Sequence, residues 1–473
     1  MSFTPTEEDT RTGAGTSGLA SGAAVAAPGA RTVTPVTSTT TTCTTGSSPS
    51  PSRTETKSNK ENAMIELQDI IDAYIVARSN KRRTADQTDF ELHWEANCVA
   101  LYNEIIGRRL RPTAYTFVTM TPKPREVFAS DMATRVLHHY LDIRLRPLLE
   151  RQLSPHTFNN RIGMGQKACQ NAVISDIYEM SAGFTRNDTW VIKIDLKGCF
   201  PNISQDIAYA QLRELIESGY HGRDKDELLY ILQVCIFSNP TAHCRILSTP
   251  EERALIPPAK SLFTKPEGTG AAIGFLVWQN AVNWYFHEID EWLASIEGIR
   301  FERFVDDITI VTNNKTMTLA LIPELRRRLA VLEARLNEGK FYCQHYTKGL
   351  ECLGVHIRMD RVYVNRRIVN RGVRKAREFN GDIRESRIDA LLSSLNSYIG
   401  LCRQVNGHTQ AWRIWEALPP EWHRFVRFDT RRVCIVPRPE YTHRRRVVRK
   451  YNLLKQYENE HKRRNPETGR KTA

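Results

Sequence analysis

Apolar positions along the chain switch between a helical and a strand-like spacing, and their order predicts a mixed fold. "MIELQDIIDAYIVA" and "FELHWEANCVALYNEIIGRRL" have the helical period, whereas "YTFVTMTPKPREVFAS" alternates like an edge hairpin that tolerates two prolines. Further on, "TWVIKIDLKGCF" predicts a strand ending at Asp195, and "NAVNWYFHEIDEWLASI" predicts a strong helix. Strands mixed with helices in the middle, with helical segments on both sides, indicate an α+β domain on a small antiparallel sheet.

The same patterns divide the chain into six predicted segments. Residues 1–60 are rich in Ser, Thr, Gly, Ala and Pro, and they are predicted to be disordered because their apolar surface cannot offset the entropy of ordering. The segments that follow are a helical N-terminal extension (61–115), a mixed region (116–190), a strand-rich core (191–362), a helical region (363–435) and a basic C-terminal tail (436–473).

Charge and cysteine content narrow the classes of function. Lys and Arg number 67 against 53 Asp and Glu, and this basic balance favours a polyanionic partner, nucleic acid before membrane. The ten cysteines include no CxxC, which argues against a zinc site and fits a reducing, cytoplasmic setting. No apolar run reaches membrane-spanning length and no secretory signal pattern opens the chain, so no membrane partner is expected.

Two adjacent aspartates interrupt an otherwise apolar hairpin, "FERFVDDITIV". Asp306 and Asp307 lie at its predicted tip, and Asp195 lies at the end of another predicted strand. If those strands are neighbours, three carboxylates converge and repel one another, and divalent cations relieve that repulsion. Mg²⁺ suits such a site because it prefers carboxylate oxygens and completes its shell with water and phosphate. A polar turn is the alternative explanation, because aspartate is common in hairpin turns.

Several motifs in order resemble those of reverse transcriptases. "IDLKGCFPNIS" resembles the first palm motif of that family, "GAAIGFLVWQNAVNWYFHEID" the middle motif, and "FVDD" the Y/F-x-D-D motif. "LNEGKFYCQHYTKGLECLG" resembles the Lys-containing and "FLG" motifs, and the spacing agrees over roughly residues 120–360. The resemblance implies an α+β right-hand polymerase with fingers (116–190), a ferredoxin-like antiparallel palm (191–362) and a helical thumb (363–435).

The resemblance also implies roles for particular residues. Asp195, Asp306 and Asp307 would be catalytic carboxylates that hold two Mg²⁺ ions, or Mn²⁺ as a substitute, with the backbone carbonyl of Leu196 as a further ligand. Phe200 would occupy the space of a ribose 2′-hydroxyl, and a core position is its competing explanation. The other residues implied to contact nucleotide or template are Gly274, Gln279 and Lys340 at the nucleotide pocket, Lys123 and Arg125 at the triphosphate, and Arg161 and Lys167 at template phosphates.

Within the family, the resemblance is closest to the reverse transcriptases of diversity-generating retroelements. It rests on "PPAKSLF", "QHYTKGLECLG" and "LNSYIGLCRQVNGH". That subfamily usually reads close to IGNLxSQ in the middle motif, whereas Phe275 and Trp278 replace a small amide and a hydroxyl here. The implied partners are an RNA template, a DNA or RNA primer, dNTPs and a small basic accessory protein.

Three other functions stay open at this point. The altered middle motif is compatible with a host-defence or other retroelement reverse transcriptase. An RNA-templated RNA polymerase is disfavoured by the aromatic residue Phe200 and by "FVDD" in place of "GDD". A non-catalytic nucleic-acid-binding scaffold is disfavoured by the three intact aspartates.

Overall fold

The computed structural model of the chain describes residues 65–79, 84–120 and 123–442. The N-terminal segment predicted to be disordered and residues 443–473 of the predicted basic tail lie outside these ranges. None of the helices in the described ranges is long and apolar enough to cross a lipid bilayer. The helices are α1 (Leu67–Arg78), α2 (Ala85–Leu92), α3 (Trp94–Ile106), α4 (Met132–Gln152), α5 (Gln166–Met180), α6 (Gln205–Gly219), α7 (Lys225–Phe237), α8 (Pro250–Ala254), α9 (Leu276–Tyr285), α10 (His287–Ala294), α11 (Lys315–Ala320), α12 (Ile322–Val331), α13 (Arg366–Arg377), α14 (Ile388–Gln404) and α15 (His408–Glu416).

The strands are short and lie mainly in the middle of the chain. They are β1 (Ala114–Thr119), β2 (Arg125–Ser130), β3 (Trp190–Asp195), β4 (Cys244–Ile246), β5 (Ile299–Phe304), β6 (Asp307–Thr312), β7 (Tyr342–His345), β8 (Leu350–Cys352), β9 (Val355–Ile357), β10 (Val362–Val364), β11 (Val426–Asp429) and β12 (Cys434–Pro437).

The N-terminal extension contains three helices where the sequence pattern predicted two. The second predicted helix breaks at His93, whose φ of −131° and ψ of 38° leave the helical region. Helix α2 therefore ends at Leu92, and α3 begins at Trp94. Tyr74 of α1 stacks on Trp94 with ring centroids 5.6 Å apart, so α1 and α3 share one packed aromatic contact.

A three-stranded sheet in the order β2-β1-β4 contains the predicted edge hairpin. Strands β1 and β2 pair antiparallel as far as Thr119 opposite Arg125. Strand β4 joins the other edge of β1 in parallel, although β3, α6 and α7 intervene along the chain. The amide of Leu247 extends this pairing by donating to the carbonyl of Thr116 at 2.8 Å. The chain therefore returns to this first sheet after it has entered the central one.

Four antiparallel strands in the order β5-β6-β3-β7 form the central sheet. One face carries Ile192 and Ile194 beside Ile310 and Ile308, and all four are 2% exposed or less in the same core as α6 and α9. The other face carries polar residues such as Lys193, and α5 packs against β5 and β6. Because one face is apolar and buried, a one-residue slip in pairing is strongly disfavoured, and this fixes where each strand ends.

The region after the central sheet has a second apolar core. Strands β8, β9 and β10 form a three-stranded antiparallel sheet. Helices α13, α14 and α15 pack together around residues such as Leu391, Leu395 and Ile414. Trp422 is fully buried there, and its indole N–H donates to the carbonyl of Phe379 at 2.8 Å. The hairpin of β11 and β12 packs on α14.

Candidate active site

Two of the predicted carboxylates face each other across neighbouring strands. Asp195 is the last residue of β3, Asp307 is the first residue of β6, and the register pairs the two directly. Asp306 precedes Asp307 in the turn, and its backbone carbonyl accepts the amide of Leu196 at 3.0 Å. The strand pairing therefore brings together residues more than a hundred positions apart, as the sequence analysis required.

The turn that carries the carboxylates is tight. Phe304 pairs with Asp307, so only Val305 and Asp306 connect β5 to β6. Val305 has a φ of +59°, in the left-handed region that β-branched residues rarely adopt. Backbone conformations of this kind persist where surrounding contacts hold them, and they concentrate at functional sites.

Lysine and asparagine side chains surround the carboxylates. Lys340 Nζ is 2.5 Å from Oδ1 of Asp195, and Asn337 Nδ2 donates to Oδ2 of the same carboxylate at 2.8 Å. Lys193 Nζ lies 3.7 Å from Oδ1 of Asp307 and donates to Thr309 Oγ1 at 3.0 Å. Both oxygens of Asp195 are thus engaged, and its side-chain orientation is fixed from two sides.

The charge of Asp306 is disfavoured in this setting. Burial, followed by the negative charges of Asp307 and Asp195, raises the pKa of the Asp306 carboxyl to about 6. Desolvation and like charges both act against an ionised carboxylate. The site is therefore short of positive charge even with Lys340 nearby.

The donor set suits a hard divalent cation. Within the described ranges, no three His, Cys, Asp or Glu side chains are already gathered as a metal site. The carboxylates of Asp195, Asp306 and Asp307 nevertheless offer the oxygen donors that Mg²⁺ prefers. The raised pKa of Asp306 indicates that a nearby cation would be favourable, because a cation offsets the repulsion among the three charges.

The surrounding sequence identifies the domain. Residues 123–357 match the family model for reverse transcriptase (RNA-dependent DNA polymerase), and all three carboxylates fall inside that stretch. Residues 123–357 form a reverse transcriptase domain. The mixture of helices with a central antiparallel sheet is accordingly the α+β right-hand polymerase fold that the motifs implied.

Telomerases are among the solved structures similar to this chain. Telomerase from Candida albicans, in complex with a TWJ fragment of telomeric RNA, is 13% identical with a TM-score of 0.38, covering 70% of this chain and 60% of its own. Apo telomerase from Candida tropicalis is 12% identical with a TM-score of 0.38, covering 66% of this chain and 62% of its own. The chain thus spans about 60% of the length of these structures. No curated protein matches it.

Two predicted residues, Leu196 and Phe200, lie in the segment that follows β3. Leu196 is 2% exposed and forms an isolated antiparallel bridge with Leu336, which holds its backbone beside the carboxylates. Phe200 begins a short 3₁₀ helix, is half-buried against the main core, and accepts the amide of Ala271 on its carbonyl at 2.7 Å. Phe200 is therefore partly accessible, unlike a fully enclosed core phenylalanine.

The middle motif of the reverse transcriptase domain docks onto the first hairpin. Gly274 has a φ of +112°, and a Cβ placed on it would lie 2.3 Å from the carbonyl oxygen of Phe128 on β2. The amide of Phe128 also donates to the carbonyl of Ile273 at 2.8 Å. Gln279 is half-buried in the first turn of α9. A glycine is required at position 274 both for this backbone conformation and for the close approach of the two segments.

The two residues that depart from the subfamily pattern are core residues. Phe275 is 1% exposed, and its ring centroid lies 4.8 Å from that of His138. Trp278 is 2% exposed inside α9. Both large side chains fill volume between α9 and its neighbours, so their immediate effect is on packing.

The four predicted basic residues occupy two different environments. Lys123 and Arg125 are exposed at the β1–β2 hairpin, where cations are accessible to a ligand. Arg161 is committed internally, because Nε lies 2.9 Å from Glu150 Oε2 and Nη1 donates to the carbonyl of Ser154 at 2.6 Å.

Lys167 differs from Arg161 in its surroundings. It is half-buried in the first turn of α5 and has no ion-pair partner within the described residues. Of the two residues predicted at template phosphates, Lys167 is therefore the one whose charge is not paired with any residue that the structure describes.

Sequence reasoning did not single out Lys193 or Asn337. Each lies close in sequence to a residue that was selected, since Lys193 precedes Asp195 by two positions and Asn337 precedes Lys340 by three. A lysine at alternate spacing in an apolar strand was the available signal for Lys193, because it shares a strand face with Asp195. Nothing in the local pattern indicates that Asn337 reaches Asp195.

Proposed function

We propose that this chain is an RNA-directed DNA polymerase that synthesises cDNA from an RNA template. The observation that carries the proposal is the direct pairing of Asp195 with Asp307, with Asp306 in the adjoining turn, inside a reverse transcriptase domain. The reaction joins the 3′-hydroxyl of a primer to the α-phosphate of a dNTP and releases pyrophosphate. Positioning of the reactants and neutralisation of charge supply most of the acceleration.

The residues around the carboxylates have distinct tasks in this reaction. Two Mg²⁺ or Mn²⁺ ions would be bound by Asp195, Asp306, Asp307 and the Leu196 carbonyl. When bound, they would lower the pKa of the attacking hydroxyl and neutralise the negative charge of the leaving group. Asn337 orients Asp195 by donating to one of its oxygens. The Lys340 side chain is 56% exposed, and its amine would turn from Asp195 toward a departing pyrophosphate.

Nucleotide selection is proposed to involve the first hairpin and the middle motif. Lys123 and Arg125 are exposed on the hairpin and would contact the triphosphate, for which a guanidinium offers bidentate geometry. Gly274 and Gln279 would shape the pocket for the base and sugar. The ring of Phe200, a half-buried residue, would close against C2′ of the deoxyribose.

Helix α13 supplies a surface suited to a nucleic-acid backbone. Arg366, Arg371 and Arg377 are exposed or half-exposed, and none forms an ion pair within the described residues, whereas Val369 and Ala376 face the core. Accessible cations on a helix bind phosphates with little sequence preference. The template–primer duplex, together with the phosphate contact proposed for Lys167, would lie along this surface.

The finer assignment we propose is the reverse transcriptase of a diversity-generating retroelement, working with a small basic accessory protein in the cytoplasm. The motifs "PPAKSLF" and "LNSYIGLCRQVNGH" support the subfamily, and the free cysteines of the described residues suit a reducing compartment. A host-defence or other retroelement enzyme is the second candidate, favoured by Phe275 and Trp278. A near-repeat pair in the neighbouring DNA that differs mainly at adenines would decide between them.

Amide variants of the carboxylates test the polymerase proposal. Asp195→Asn and Asp306→Asn keep the side-chain shape but remove a negative ligand, so dNTP incorporation on poly(rA)/oligo(dT) with Mg²⁺ should fall about 10³-fold or more. RNA affinity should remain within about twofold, because these residues contribute no positive charge. Asp206→Asn, an exposed carboxylate on α6, is the matched control and should keep full activity. Retained incorporation in either active-site variant would refute the assignment.

A further inference from the structure

Behind the carboxylate turn lies a completely buried ion pair. Arg303 of β5 and Asp290 of α10 are both 0% exposed. Arg303 donates through Nε to Oδ1 of Asp290 at 2.7 Å and through Nη2 to Oδ2 at 2.5 Å, which is the two-pronged geometry of a guanidinium on a carboxylate. Nothing in the reaction described above uses this pair.

The same guanidinium reaches the backbone of the turn. Arg303 Nη1 donates to the carbonyl oxygen of Val305 at 3.2 Å. Val305 is the β-branched residue whose φ is +59°, and it is followed immediately by Asp306 and Asp307. The hydrogen bond therefore acts on the peptide unit that joins the strained residue to the first carboxylate of the turn.

Further contacts fix the guanidinium in place. Thr157 Oγ1 donates to Asp290 Oδ2 at 2.6 Å, and Arg303 Nη2 donates to the carbonyl of Asn283 in α9 at 3.1 Å. The backbone of Arg303 also accepts the amide of Phe158 at 3.0 Å. One side chain thereby connects α9, α10, β5 and the loop before α5 to the carboxylate turn.

Stability alone does not explain such a pair. Replacing a buried ion pair by apolar residues of similar volume is often neutral or stabilising, because desolvation offsets the attraction between the charges. A fixed guanidinium does, however, provide a rigid hydrogen-bond donor at a defined position. That property is useful only if the acceptor, here the Val305 carbonyl, must be held in one orientation.

We propose that Arg303 is a positioning residue that, braced by Asp290, clamps the Val305 carbonyl and keeps Asp306 and Asp307 aimed into the active site. The clamp offsets the unfavourable left-handed conformation of Val305, so the turn does not relax to a more extended form. The proposal rests on the proposed polymerase function for its catalytic consequence, but its structural core concerns the turn alone.

A substitution cycle tests the clamp. Arg303→Lys keeps a positive charge beside Asp290 but loses the fork that reaches both carboxylate oxygens and the Val305 carbonyl. We expect kcat for dNTP incorporation to fall about a hundredfold with little change in KM, as a small misplacement of reacting groups predicts. Arg300→Lys on the same strand, whose guanidinium pairs with Glu179 instead, is the matched control and should keep the wild-type kcat.

Rescue distinguishes positioning from a general role in folding. Glycine adopts a positive φ without strain, so Val305→Gly in the Arg303→Lys background should recover most of the lost kcat. Hydrogen exchange of the backbone amides of residues 304–308 supplies a readout that does not depend on activity. Exchange there should be faster in Arg303→Lys than in the wild type, and slower again in the double variant.

Each outcome has a definite meaning. Either of two results would overturn the clamp. One is an unchanged kcat together with unchanged amide exchange in folded Arg303→Lys. The other is a loss of kcat that Val305→Gly does not relieve. Should Arg303→Lys fail to fold, Thr157→Val removes only one donor to Asp290, and wild-type kcat and exchange in that variant would overturn it equally. An inactive wild type would refute the polymerase function, while the exchange measurements would still decide whether the turn is clamped.

Discussion

Gly274 and Phe128 approach so closely that the α-carbon of the first faces the carbonyl oxygen of the second with no room for a side chain. A Cβ at position 274 would be 2.3 Å from that oxygen. The contact joins the middle motif to the first hairpin, which carries the exposed Lys123 and Arg125. The geometry of the proposed nucleotide pocket therefore depends on a backbone-to-backbone contact that only glycine permits.

Gly274→Ala should weaken both the fold and nucleotide binding. The added methyl must displace β2 or force the backbone out of its positive φ, which we expect to lower the free energy of unfolding by about 1–3 kcal/mol. The KM for dNTP should rise because the hairpin moves. Chemical denaturation and steady-state kinetics measure the two effects.

Gly381→Ala is the matched control for this comparison. Gly381 has a φ of +98°, but nothing lies within 4 Å of the position of its Cβ. Its substitution should show the cost of backbone strain without the clash. Equal losses of stability in the two variants, with an unchanged KM in Gly274→Ala, would contradict the docking role of Gly274.

Asp306→Asn should stabilise the metal-free protein at neutral pH. The folded pKa of Asp306 is raised to about 6 from 3.8, so this group stabilises the fold below pH 4 and that contribution is lost as pH rises toward 6. Asparagine stays neutral at every pH, so Asp306→Asn does not lose this stabilisation. At pH 7 its free energy of unfolding should exceed that of the wild type by about 1–3 kcal/mol. Urea denaturation across pH 4–8 with a chelator present measures the difference.

Two further measurements sharpen that comparison. Glu267→Gln, which neutralises an exposed carboxylate, should leave the pH dependence of stability as in the wild type. Added Mg²⁺ should reduce the difference in free energy of unfolding between the wild type and Asp306→Asn, because a cation favours the charged carboxylate. Parallel stability curves for the wild type and Asp306→Asn would show that Asp306 is not held in a costly charged state.

Phe200→Ala should relax the choice of sugar. A ribonucleotide would overlap the ring at C2′, and an overlap of about 1–3 kcal/mol corresponds to a rate difference of about tenfold to a hundredfold. The ratio of kcat/KM for dATP to that for ATP should therefore fall by this factor in Phe200→Ala, with Phe200→Val between. A wild type that uses ATP as well as dATP would weaken the reverse transcriptase proposal, whereas unchanged discrimination in Phe200→Ala would leave Phe200 a core residue.

The arginines of α13 should determine how binding depends on salt. Replacing Arg366, Arg371 and Arg377 by glutamine removes three candidate phosphate contacts, so the slope of log K against log salt should flatten by about 2–3. Affinity should fall similarly for RNAs of different sequence. Fluorescence anisotropy at several salt concentrations measures both.

A second triple variant controls for net charge. Arg326, Arg327 and Arg328 of α12 lose the same charge when replaced by glutamine, but in the folded protein they pair with Glu338 and Glu324. This variant should change the slope much less. An identical flattening in both variants would mean that total charge, rather than the α13 surface, governs binding.

Much of the site was accessible from sequence because local patterns defined its strands. The apolar runs around Asp195 and "FVDD" predicted two strands, and the order of motifs implied that they are neighbours, which the register confirms. The contacts of Asn337 with Asp195, and of Arg303 with Asp290, depend on how separate elements pack together. No period or motif encodes those distances, so sequence reasoning passed over both.

Other parts of the fold escaped prediction for a similar reason. The helical spacing of apolar residues continues on both sides of His93. The break between α2 and α3 at this residue is therefore not visible in that spacing. The internal ion pair of Arg161 with Glu150 was equally hidden, because a basic residue beside glycines looks the same whether its charge is bound inside or free for a ligand.

The parallel pairing of β4 with β1 bears on how the nascent protein acquires its shape on the ribosome. Ser248 Oγ accepts the amide of Val118 at 2.6 Å across 130 positions of sequence. The hairpin of β1 and β2 can form early, but its outer edge stays uncovered until residues beyond 246 have been synthesised, roughly ten seconds later at typical elongation rates. During that interval the unpaired edge of β1 is open to pairing with other chains, because its backbone donors and acceptors have no partner strand.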